Sequence, residues 1–339
     1  MRVRQLFIFL FTTLAFSLSA TGSDSTAQVN YKPELGGVIR VRWEMKTHGG
    51  YNRFAVPNAR VNLRGNIARP VDYFVQVDLS QSGKFAFLDA WARLTLLETL
   101  KIRVGRFRIP FGIDPFRAPG NYIFANRSFI GRDIANNRDI GVEASYSLPI
   151  APLTLEAGVF NPHISTDDHA WTRDKVFASR AVYQIGDFRL AAGYQSIVPD
   201  SIRINMADVT VTYTAGRWLA EAEYMYEHYT GDAFDNCHAY NFFASYSIPV
   251  KVSVFDDLSV QARFDGTTPH STGYRNDAGR LVANSPARNR VTVGSTLSYR
   301  YKRLRCAFHL NYEKYFYHRG TAVPVDRDDK ITAEVVVTF

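Results

Sequence analysis

Little in this sequence supports a soluble enzyme. Its 339 residues include only two cysteines, Cys237 and Cys306, so no dense disulfide framework can hold it. No stretch approaches the roughly 20 consecutive apolar residues that a membrane-crossing helix needs. The eight histidines show no spacing of metal ligands along the chain. His163 and His169 share a segment with Asp167 and Asp168, which reads as a solvated loop. There is no nucleophile elbow and no phosphate-cradling glycine loop ahead of a helix. Helical periodicity is scarce throughout. A catalytic site is not expected, nor is a metal or a cofactor.

The one apolar block, Leu6 to Leu18, follows Arg2 and Arg4 and is followed by small residues. That is the layout of a secretory leader. Cleavage after Ala27 fits best, with Ala20 the competing choice, so residues 1–27 are set apart and 28–339 are read as one domain. The whole chain carries +8; the leader removes two arginines and one aspartate, which leaves +7. A basic balance suits nucleic acid, anionic membrane or anionic solutes, and export argues against nucleic acid.

What the chain has in abundance is period-two alternation. Ile39, Val41, Trp43 and Met45 alternate with Arg40, Arg42, Glu44 and Lys46. Ile331, Ala333, Val335, Val337 and Phe339 alternate with Lys330, Thr332, Glu334 and Thr338. Sixteen strands are predicted, at 38–47, 54–67, 71–80, 86–95, 99–109, 138–147, 153–161, 176–185, 188–196, 204–214, 217–228, 238–247, 257–265, 288–299, 303–316 and 330–339. The connections mostly alternate between short turns and long loops, the longest at 110–137, 162–175, 266–287 and 317–329. Only 248–256 is longer than its short side should allow.

A soluble sandwich also alternates, but alternation with one-sided loop lengths and an even strand number is the pattern of an outer-membrane barrel. The predicted fold is all-β: a transmembrane antiparallel barrel of sixteen strands, closed because an open edge in lipid would leave backbone groups unpaired. Sixteen strands leave a water-filled lumen. Trp43, Tyr73, Trp218, Tyr224, Tyr226, Tyr299 and the terminal Phe339 are candidates for the aromatic girdles.

Lys101 to Gly112 (KIRVGRFRIPFG) resembles the V-G-x-F-x-x-P-F-G signature of the phosphate-selective porin O and P family. ARVNLRGN (59–66), LDAWAR (88–93) and NRDIGV (137–142) are similar to flanking strands of that family. The resemblance spans most of the mature chain and is specific between about 54 and 146. It implies a bacterial outer-membrane porin, a trimer, and a third outer loop (110–137) that folds into the barrel and narrows it. The family's phosphate-binding positions do not align here, so the resemblance supports a porin more firmly than phosphate specificity.

From Arg106 to Arg138 the segment holds Arg106, Arg108, Arg117, Arg127, Arg132 and Arg138 against Asp114 and Asp133, a net charge of +4. Arginine keeps its charge and presents a fork of donors that matches phosphate or carboxylate oxygens. These six are the candidate pore constriction. Strand parity adds Arg40, Arg42, Arg60, Arg64, Lys101 and Arg103 to the lumen wall, with Glu44, Glu143 and Glu156 able to neutralise part of it. Parity changes near Gly105, where a bulge is expected to turn Arg106 and Arg108 inward. The expected function is a passive channel for small solutes that prefers anions, phosphate-like ones among them, seated in outer-membrane lipid and lipopolysaccharide. The alternative is a non-conducting barrel that acts as an adhesin or surface-binding protein through loops such as 163–175 and 325–330. A third class, an outer-membrane hydrolase, lacks a convincing serine–histidine pair.

Overall fold

The computed structural model describes residues 31–80, 85–135, 138–161, 171, 173–199, 202–252, 254–273, 276–280, 282–283, 285–318, 321 and 327–339, with 251 and 252 described by backbone alone. The expected leader and the segment with His163 and His169 lie outside the described residues. Among the described residues, sixteen strands form: β1 (Glu34–Lys46), β2 (Asn52–Ala68), β3 (Val71–Asp78), β4 (Ala86–Thr95), β5 (Leu100–Arg108), β6 (Arg138–Ser147), β7 (Leu153–Phe160) and β8 (Val176–Ile185). They continue as β9 (Phe188–Ile197), β10 (Ile204–Ala215), β11 (Trp218–Tyr229), β12 (Cys237–Val252), β13 (Phe255–Thr267), β14 (Arg288–Tyr301), β15 (Leu304–Tyr317) and β16 (Lys330–Thr338). Each pairs antiparallel with its chain neighbours, and β1 pairs with β16 to close the barrel. No helix among the described residues is long and apolar enough to cross a membrane, which says nothing against crossing by strands.

Burial is inverted relative to a soluble protein. On β14 and β15, Arg290, Thr292, His309, Asn311 and Glu313 are buried, while Val291, Val293, Phe308, Leu310 and Tyr312 are exposed. On β11, Glu221, Glu223 and Glu227 are buried and Trp218 and Tyr224 exposed. Such an apolar exterior is stable only against hydrocarbon, where a closed ladder satisfies every strand's backbone. The expected girdle members Trp218, Tyr224 and Phe339 are among the exposed aromatics.

Every connection at the end holding the chain's first strand residue is short, such as Gly186-Asp187 and Ala215 to Trp218. Those at the opposite end include 109–137 and 268–287. By the usual orientation, the short turns face the periplasm and the long loops face outward. Two sequence expectations need correction. The 248–256 stretch is no long connection: β12 runs on to Val252 and β13 starts at Phe255, with a register shift between Pro249 and Val252 absorbing the irregular part. Gly105 carries no bulge, since β5 keeps one register with β4 and β6 across it. What glycine supplies is close approach: at φ 126°, a Cβ would lie 2.2 Å from the Ala90 carbonyl oxygen. The two cysteines are free, Cys237 at the outer start of β12 and Cys306 near the inner start of β15.

Candidate pore constriction

The third outer loop folds into the lumen because its ends are apolar and the barrel provides a place to bury them. Phe107, Ile109, Phe111, Ile130 and Ile134 form a buried cluster with Phe160, Val176, Ile204, Met206 and Met225 from the wall. Removing such side chains from water stabilises the seat by roughly 1.5–3 kcal/mol each. Short helical turns at Asp114–Phe116, Pro119–Asn121 and Ile130–Ile134 compact the segment between these ends.

The backbone of the loop must then find partners, since buried amides left unpaired are costly. Two walls supply them. On β10 and β11, Asp208 accepts from the Gly112 amide (3.3 Å) and Glu223 from the Ile113 amide (2.8 Å). On the same wall, Glu221 accepts from the Arg117 guanidinium (2.7 Å). On the opposite wall, guanidinium groups donate to successive loop carbonyls. Arg40 and Arg42 reach the oxygen of Ala125, Arg263 that of Asn126 (2.8 Å) and Arg290 that of Arg127 (2.7 Å). Gln261 donates to the Ile123 oxygen (2.7 Å). Asn311 and Asp265 accept the Ala125 and Phe129 amides (2.7 and 3.0 Å).

The charges that hold the loop are themselves paired. Arg40 and Arg42 share Glu334 at 2.8 Å, across the β1–β16 seam. Arg290, fully buried, binds Asp265 at 2.7 Å and Glu313 at 3.2 Å. Buried pairs of this kind fix geometry more than they add net stability. Within the loop, Asp114 accepts from Arg117 (2.7 Å) and Ser128 (2.7 Å). Burial alone would raise the Asp114 carboxyl, but Arg127 and Arg117 hold it down at about 2. Asp133 is likewise lowered against its burial by Arg327 and Arg288.

The expected site residues therefore divide. Arg127 braces the loop internally, and Arg117 ties Asp114 of the loop to Glu221 of the wall. Arg132 lies 3.9 Å from Asp133 with its side chain 38 % exposed. Arg138 binds Asp89 at 3.1 Å. Arg108 is buried beside Arg138 and Arg127, with Asp89 the neighbouring acid. Arg106 is half-buried, in unbroken register between Arg103 and Phe107, which share one face with their side chains stacked at 4.1 Å. Of the wall set, Arg40 and Arg42 lie beneath the loop, Arg60 pairs with Asp78 (2.9 Å), and Arg103 with Glu143 (2.6 Å). Lys101 shares the Arg103 face, and Arg64 pairs with Glu34 at the exposed inner end. Glu44 and Glu156 neutralise arginines as expected, Glu44 bridging Arg42 and Arg53 and Glu156 binding Arg180. Sequence reasoning missed Arg263, Arg288, Arg290, Lys330 and the acids facing them, although parity on β13 to β16 marks all of them as inward.

Beside the loop on the β1–β2 side lies a cavity of about 450 Å³, lined by Arg40, Arg42, Arg53, Arg60, Arg127, Arg132 and Lys330 with Glu44 as its acid. A second, of about 470 Å³, opens toward the inner end between β13, β14 and β15. Tyr122 lines both, under the guanidiniums of Arg40 (4.5 Å) and Arg127 (5.3 Å).

A family model described as Gram-negative porin matches residues 108–261, from the end of β5 through the inward loop to β13. No curated protein matches the sequence significantly. Among solved structures, the anion-selective porin from Comamonas acidovorans superposes with a TM-score of 0.60 at 13 % identity, over 91 % of this chain and 98 % of that one. Salmonella typhi OmpF, in complex with daunomycin, gives 0.59 at 15 %, over 91 % and 98 %. The trimer form of OmpT, an outer membrane protein of Vibrio cholerae, gives 0.60 at 12 %, over 91 % and 99 %. At these identities the likeness is one of fold.

The closed barrel, the inward loop and a family match over less than half of the chain together support the porin class: a channel for small solutes in the bacterial outer membrane. The O and P family suggested by Val104 to Gly112 is a finer assignment within that class.

Proposed function

We propose that the protein is a passive diffusion channel that prefers small anions, phosphate-like oxyanions included. The observation that carries this reading is the cavity beside the inward loop, with seven basic side chains against one carboxylate. A low-dielectric wall focuses such a field and raises the local anion concentration. Every one of these bases also faces an acid, among them Glu334 for Arg40 and Arg42, Asp78 for Arg60 and Glu44 for Arg53 and Lys330, so the selectivity would come from the net field of the whole set, with Arg108 and Arg138 adding to it. Resemblance to the O and P family at Val104 to Gly112 supports oxyanions as permeants. The anion selectivity named for the Comamonas porin and the trimer named for OmpT support the same reading, a homotrimer in lipid and lipopolysaccharide. Purified protein in a planar bilayer under a potassium chloride gradient should give a reversal potential of anion-preferring sign. Cation preference would overturn the selectivity and leave the porin intact. Absence of any conductance in folded protein would favour the non-conducting, surface-binding alternative.

A further inference from the structure

At the outer ends of β11, β12 and β13, three groups of different chemistry meet inside the barrel wall. Glu227 and Cys237 are register partners across β11 and β12. His270 follows β13, its backbone fixed by paired hydrogen bonds with Ser285 (2.9 and 3.1 Å). One ligand atom from each of the three lies within 4.8 Å of the others. All are buried, Cys237 at 0 %, Glu227 at 1 % and His270 at 6 % exposure.

Hydrogen bonding does not exhaust this cluster. His270 Nδ1 is 2.8 Å from Glu227 Oε2, but Nε2 is buried without a hydrogen-bond partner among the described residues. The Cys237 thiol lies 3.4 Å from the Thr267 hydroxyl and 4.0 Å from a carbonyl, with the His270 imidazole also within its reach. Around the cluster the positions are fixed. The Tyr229 hydroxyl donates to Glu227 (3.0 Å) and accepts the Ser271 amide (3.0 Å). Such outer contacts are what orient metal ligands. Tetrahedral ligands at about 2.0–2.3 Å from a cation sit roughly 3.5 Å apart. His270 and Glu227, now 2.8 Å apart, need to part slightly, and separations of up to 4.8 Å need to close, as the proton between His270 and Glu227 and the thiol proton leave to solvent.

We propose that Glu227, Cys237 and His270 bind one borderline-soft divalent cation of the zinc type, which staples the segment after β13 to the wall. A thiolate, an imidazole and a carboxylate together suit zinc; calcium and magnesium prefer oxygen donors alone.

The test uses the folded, metal-stripped barrel in detergent. Titration with zinc against a chromophoric chelator should show one tight site per chain. Binding should weaken by at least roughly tenfold in Cys237→Ser and in His270→Gln, and stay unchanged in Cys306→Ser. Calcium should not compete. Cobalt added to the unaltered protein should give a thiolate-to-metal charge-transfer band, which decides the matter even where a variant fails to fold. No stoichiometric zinc uptake, no thiolate band, or equal weakening in Cys306→Ser would each overturn the site.

Discussion

The two walls that hold the inward loop solve one problem with opposite chemistry. The β10–β11 wall offers carboxylates to the loop's amides, at Gly112 and Ile113. The wall of β1, β13 and β14 offers guanidiniums to its carbonyls, from Ala125 to Arg127. The β10–β11 carboxylates seat only the start of the loop, just after Pro110, while on the other wall Asn311 and Asp265 accept amides near the tip beside the donors. The donor wall reaches the tip, and each guanidinium also holds a strand carboxylate. The loop is therefore hinged on one side and clamped on the other, and the basic cavity lies on the clamped side.

Breaking the clamp should cost most. Arg290→Ala leaves the buried Asp265 and Glu313 with only the more distant Arg263 and Lys330, and about 3–5 kcal/mol of stability should be lost. Glu223→Ala, on the acceptor wall, strands one amide and should cost about 1–3 kcal/mol. Urea unfolding in lipid vesicles, followed by tryptophan fluorescence, measures both; equal losses would erase the distinction between the walls. Next comes selectivity. Arg53→Glu with Arg132→Glu places two acids in the basic cavity, where about 1.4 kcal/mol per permeant shifts a permeability ratio roughly tenfold. The same swap at the exposed Arg280 should change reversal potentials far less. Tyr122→Ala should raise single-channel conductance severalfold, since that ring lines both cavities; unchanged conductance would place the narrowest point elsewhere. The smallest effect is expected from acid. Asp114 is lowered from 3.8 to about 2, so its contribution is complete above its unfolded value and fades only as pH falls through about 2. Conductance should thus show no Asp114-linked loop movement between pH 7 and 4.

The barrel was legible because period two is written locally: each of the sixteen predicted strands falls on an observed one. The stretch at 248–256 misled because Pro249 interrupts the pattern while the pairing continues on either side. The site was half legible. Arg40 and Arg42 show their inward face at once, but their partner Glu334 lies nearly the whole chain away, and nothing local links it to a loop carbonyl at Ala125. Arg263 and Arg290 were equally visible by parity; only the seated loop distinguishes them from any other lumen-facing arginine. Gly105 misled for the converse reason. A glycine with positive φ was read as a bulge, whereas it relieves contact with Ala90 and leaves the register unshifted.

The seam between β1 and β16 also sets an order of events in folding. Arg40 and Glu334 are 294 residues apart, and the same arginine holds the tip of the loop. Pairings this distant are slow to form, because the entropy of closing the chain must be met before any contact rewards it. Until β16 arrives, β1 presents an open edge that any stray strand can join. The loop tip cannot settle earlier either, since Glu334 is what fixes Arg40 and Arg42 in position to receive it. Closure of the ring and seating of the constriction thus become one late event, and a half-zipped barrel has no finished pore.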